Sequence, residues 1–140
     1  MKIFICTFML LCCFVGKAYC AEEDLPLMKI TLPLDWVVAE ATDSIVAVET
    51  EDKKAKFIYK KISVYSVKIE EYARALMKAY GGYNFQKRTD TIFYFEYFHG
   101  NKTAWTLVSL YKKNPNFVAT QTGIGESEDF VEIMDSIRLK

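Results

Sequence analysis

Thr91-Ile92-Phe93-Tyr94-Phe95-Glu96-Tyr97-Phe98 is the stretch on which the fold turns. Successive side chains of a β-strand point to opposite faces. Phe93, Phe95 and Tyr97 therefore share one face, and Ile92, Tyr94 and Phe98 the other. A half-solvated antiparallel strand is polar on one side, whereas this one is apolar on both. Two arrangements satisfy that pattern: helices cover both faces of the sheet, or one face is left as an apolar groove. Aromatic-rich strands mostly serve packing, so core on both faces is the first expectation and the groove is its functional alternative.

The neighbouring segments agree with a sheet. Residues 103–111 and 117–122 read as strands, with His99-Gly100-Asn101-Lys102 and Lys112-Lys113-Asn114-Pro115-Asn116 as hairpin connections. Toward the N-terminus, residues 28–32 alternate and stop at Pro33. Residues 36–41, 45–51 and 55–64 follow as a meander, with turn residues Thr42-Asp43-Ser44 and Glu51-Asp52-Lys53-Lys54 between them. The period then changes. Ile69, Tyr72, Ala73, Leu76, Met77 and Tyr80 fall on one helical face, with Ser66 as a start, Glu70 and Glu71 in the first turn and Gly81 as the stop. A closing helix carries Phe130, Ile133, Met134 and Ile137, with Ser127 before it as N-cap. The predicted class is α+β: a twisted antiparallel sheet flanked by helices on both faces.

The first residues have a different character. Lys2 precedes an apolar run from Ile3 to Val15, and small residues follow near Ala18, Cys20 and Ala21. This order reads as a secretory signal peptide over residues 1–20, with a single domain over 21–140. As a helix the run reaches about 20 Å, short of the roughly 30 Å hydrocarbon core. Cleavage after Ala18 competes with cleavage before Ala21, and a lipid on Cys20 is a third outcome, opposed by bulky Tyr19; membrane attachment is expected only in that case. Cys6, Cys12, Cys13 and Cys20 all lie in this segment, so the domain has no disulfide framework and must rest on burial. Without Lys2 and Lys17, the 18 basic residues fall to 16 against 18 acidic ones. That balance does not ask for nucleic acid. The expected location is secreted or periplasmic.

Three stretches together resemble the PsbP-like family, which includes DcrB-type bacterial envelope proteins. Ile30-Thr31-Leu32-Pro33-Leu34-Asp35-Trp36 is similar to its "hydrophobic-x-x-Pro-x-x-Trp" opening. Ile69-Glu70-Glu71-Tyr72-Ala73-Arg74-Ala75-Leu76 is similar to its first long helix, and Ile133-Met134-Asp135-Ser136-Ile137-Arg138-Leu139 to its closing segment. The resemblance implies an α/β/α sandwich and a non-enzymatic binding, assembly or chaperone-like role. It brings no catalytic residues.

The chemistry in the chain points the same way. His99 is the one histidine, and no cysteine lies beyond residue 20 to join it in a zinc site. His99 reads as a hairpin-tip residue with no oriented nucleophile beside it. Gly123-Ile124-Gly125 lacks the third glycine of a dinucleotide turn, and Glu126, Glu128 and Asp129 oppose a phosphate there. The lysines from Lys53 to Lys68 read as solvated strand edges. Asn101-Lys102-Thr103 is a glycosylation sequon only in a eukaryotic host. No enzyme activity, cofactor or metal is expected. The expectation is an exported module that binds another envelope or secreted protein, as an assembly, chaperone-like or immunity-type factor. Its surface would use the exposed members of Trp36, Tyr94, Phe98, Trp105 and Tyr111. The alternative is a carrier of a lipid or other apolar small molecule in an aromatic groove.

Overall fold

The computed structural model describes residues 20–64 and 68–140. The segment read as a signal peptide, apart from Cys20, and the Ser66 helix cap lie outside the described residues. The strands run β1 (Ala21–Asp24), β2 (Met28–Leu32), β3 (Trp36–Ala41), β4 (Ile45–Thr50) and β5 (Lys56–Ser63). Helix α1 (Ile69–Ala79) follows, then β6 (Tyr83–Thr89), β7 (Ile92–His99), β8 (Lys102–Leu110) and β9 (Phe117–Ile124). Helix α2 (Phe130–Ser136) and β10 (Arg138–Leu139) close the described chain. Seven strands pair antiparallel in the order β3-β4-β5-β9-β8-β7-β6, and three in the order β1-β2-β10.

This corrects the expected architecture. The described residues are mostly β, with helices of 11 and 7 residues among them, and they do not form a sheet with helices over both faces. One layer is α1, seated on β6, β7 and β8. The opposite layer is the three-stranded sheet, with the short α2 against β2. The small sheet escaped the sequence reading because β1 is Ala-Glu-Glu-Asp and β10 is Arg-Leu. Neither shows alternation; both are held by backbone pairing to β2, whose Met28, Ile30 and Leu32 are fully or almost fully buried.

Two cores result, one on each side of the large sheet. Met28, Ile30, Leu32, Trp36, Val46, Val48, Phe57, Phe130 and Ile133 form the core beneath the small sheet. Phe93, Phe95, Tyr97, Val108 and Ala73 form the core beneath α1, with Leu76, Met77 and Phe85 at its margin. The helix ends as its glycines dictate. Gly81, at φ 65°, donates to Lys78 O, and Gly82 donates to Met77 O at 2.8 Å, a Schellman closure. The expected cap of α2 is displaced: Asp129 occupies the N-cap position, while Ser127 Oγ accepts from Asp129 N at 3.0 Å and orders the turn before it.

The layers cover different halves of the large sheet. From the large sheet, the small sheet's core draws mainly on β3, β4 and β5, with Ala119 of β9 and Trp105 of β8 at its margin, and the α1 core draws mainly on β7 and β8, with Val118 and Ile124 of β9. The face of β6, β7 and β8 that points away from α1 is therefore left largely open.

Candidate functional site

The open half-face is built by register. Opposite residues in an antiparallel ladder share a face. Tyr94 pairs with Leu107, Glu96 with Trp105, Phe98 with Thr103 and Ile92 with Ser109. Tyr83 of β6 stands opposite Glu96, and Gln86 opposite Tyr94. Phe93, Phe95 and Tyr97, the other half of the same alternation, are buried under α1. So β7 carries aromatic residues on both faces but has core on only one, and Glu96 interrupts the open face. Phe98 is 60% exposed and Tyr83 43%, and their rings stack at 5.8 Å. The Arg88 guanidinium lies 4.3 Å from the centre of the half-buried Tyr94 ring. Partial burial, with Glu96 nearby, raises the Tyr94 phenol above its ordinary range.

Trp105 joins this face to the small-sheet core. Its indole meets Phe130 edge-on at 5.7 Å. It also lies flat on Gly123: a Cβ there would sit 2.5–2.6 Å from three indole atoms. Gly125, at φ 83°, passes so close to Lys54 O that a side chain has no room. These two glycines serve close packing, which accounts for Gly123-Ile124-Gly125 without a phosphate.

The five aromatic residues picked from sequence separate into two groups. Phe98, Tyr94 and Trp105 belong to the open half-face. Trp36 and Tyr111 are 6% and 3% exposed and belong to the core. Trp36 packs edge-on against Phe130, and its Nε1 donates to Asp129 Oδ2 at 3.0 Å. Tyr111 packs against Phe117, with Lys61 Nζ 5.1 Å from its ring centre. Tyr83 and Ile92 also lie on the half-face. Ile92 was readable from the alternation, whereas Tyr83 sits on an edge strand whose pattern is broken by Asn84 at φ 55° and by two register shifts. His99 ends β7, exposed.

Two adjoining clefts run along the seam between this face and the small sheet. One, of about 520 Å³, lies between β8 and the Met134–Leu139 region. The other, of about 480 Å³, extends toward Ile92 and Leu107, and the two share Ser109, Leu110, Lys112 and Gln121. Tyr59, only 4% exposed, lies in the first cleft; burial raises its phenol well above the ordinary range, and neighbouring Tyr111 adds to the effect. Among the described residues, no three His, Cys, Asp or Glu side chains gather as a metal site, and no helix is long and apolar enough to cross a membrane.

The opening and closing stretches of the PsbP-like resemblance meet in space. Arg138 and Leu139 pair with Lys29 and Met28. Ser136 Oγ accepts from Thr31 N at 3.0 Å and lies 2.7 Å from Ile133 O, which continues the β2 edge beyond the short β10. Comparison with protein-family models, with curated proteins and with solved structures returns no match.

Proposed function

We propose that this chain is an exported, non-enzymatic protein-binding module that docks another envelope or secreted protein on the β6–β7–β8 half-face. The observation that carries the reading is the exposed Tyr83–Phe98 stack on a sheet surface that also holds Tyr94, Ile92, Leu107 and Trp105. Interfaces concentrate aromatic residues and arginine in a desolvated centre with a polar rim. Here Arg88 on Tyr94 and the flanking Glu96 and Gln86 supply that composition. The resemblance of the opening and closing segments to PsbP-like binding modules supports the same role, although the helix-flanked sheet it implied is not what the chain forms.

The test is site-specific photo-crosslinking in the native host from position 98, with exposed Lys78 on α1 as the control position. A discrete adduct from 98 and none from 78 is the expected result. Equal labelling from both positions, or adducts from neither, overturns the reading.

A further inference from the structure

The seam clefts have a lining that the protein-binding role does not explain. Leu110, Met134, Ile137 and Leu139 supply the apolar lining of the larger one, and Ile92 and Leu107 continue it in the other. The polar lining of the larger cleft is Tyr59, Ser109, Gln121, Lys112, Lys113 and Arg138. The side chains of Tyr59, Ser109 and Gln121 make no hydrogen bond within the described residues. Tyr59, only 4% exposed, lines the larger cleft. Lys112, Lys113 and Arg138 stand at the rim, all exposed, and no carboxylate lines either cleft. Arg138 is held in place because its Nη1 donates to Asp135 O and Ile137 O, both at 2.9 Å.

Ligand sites are concave spaces of roughly 300–1,000 Å³ with apolar walls and a few convergent polar groups. A cleft that combines Leu110, Met134, Ile137 and Leu139 with hydroxyl and amide groups and three exposed cations complements one chemistry. We propose that the seam cleft binds a single-chain anionic amphiphile, its carboxylate among Lys112, Lys113 and Arg138 and its alkyl chain along Leu110, Met134, Ile137 and Leu107. The concavity selects a free molecule over a bilayer, since a flat membrane surface does not reach a floor formed by Tyr59. The site adjoins the aromatic half-face at Ile92 and Leu107 but uses different side chains for its charge, so the two assignments are tested separately.

The experiment is isothermal titration of the full domain with sodium dodecanoate below its micelle concentration, paired with amide chemical-shift mapping. Saturable one-to-one binding is expected, with shifts at Tyr59, Ser109 and Gln121. Lys112→Gln/Lys113→Gln, at two exposed positions, should weaken binding tenfold or more, as should replacing dodecanoate by dodecanol. Phe98→Ala should leave it unchanged. Equal affinity for dodecanol or dodecyltrimethylammonium overturns the proposal, as does an unaltered double-lysine variant. Inorganic phosphate binding as tightly as dodecanoate reduces the site to a bare anion site and also overturns it. So does Lys112- and Lys113-dependent binding to phosphatidylglycerol vesicles without binding of monomeric dodecanoate.

Discussion

Replacing Gly123 by alanine tests how the open half-face is joined to the core. The added methyl would start 2.5–2.6 Å from Cε2, Nε1 and Cζ2 of Trp105. Carbon contacts are optimal at about 3.5–4.0 Å, so the indole must lift by roughly 1 Å. That lift forfeits much of its edge-on contact with Phe130, worth about 0.5–1.5 kcal/mol. Overpacking in general costs about 1–3 kcal/mol, and exchanging a strand glycine for alanine returns about 0.5–1 kcal/mol. The net expectation is a loss of about 1–2 kcal/mol, or roughly 3–8 °C in Tm for a domain of this size. Acrylamide quenching supplies the specific readout, because the other tryptophan, Trp36, is only 6% exposed and stays shielded. Gly123→Ala should raise quenching of the Trp105 component along with the Tm loss. An unchanged Tm with unchanged quenching would refute the packing of Trp105 on Gly123.

Other expectations follow from the same coordinates. Ser136→Ala strands the Thr31 N–H at the end of the small sheet, and an unsatisfied, partly buried donor costs about 1–3 kcal/mol; urea midpoints against a control Ser63→Ala at an exposed position measure it. Asp52 accepts from Thr50 Oγ1 at 2.7 Å and from Lys54 N at 3.0 Å, and the Lys54 backbone N–H is the main cause of its carboxyl being held below the ordinary range. A lowered carboxylate adds stability above its unfolded pKa and loses it as pH falls through its folded value. The gap between wild type and Asp52→Asn should thus persist through neutral pH and close in acid; a gap that is constant down to full acid protonation contradicts the assignment.

The sequence displayed the local structure better than the arrangement of layers. The face of α1 was legible because Ile69, Tyr72, Ala73, Leu76 and Met77 repeat at helical spacing over a full core. The strands from β2 to β5 and from β7 to β9 were legible from alternation and turn residues. What alternation cannot say is which layer lies above each face. Phe93 and Phe98 look alike in sequence, yet one is sealed under α1 and the other is 60% exposed, because the small sheet stands over the far half of the large one. Residue type likewise fails to separate core from exposed face. Trp36 packs into the core, and Asp129, 93 positions later, accepts its indole N–H so that the burial leaves no donor unpaired. Lys112, Arg138 and Tyr59 are far apart in the chain, and β5, the turn after β8 and β10 bring them to one cleft.

The central claim is that the Tyr83–Phe98 face is a protein-docking surface. Native mass spectrometry of the protein recovered gently from its native host, as wild type and as Tyr83→Ser/Phe98→Ser, tests it most directly. Aromatic hot spots contribute about 2 kcal/mol or more each, so losing both should deplete a co-purifying protein by at least tenfold while the domain keeps its Tm within a few degrees. A partner retained at wild-type level by that folded double variant would contradict the claim.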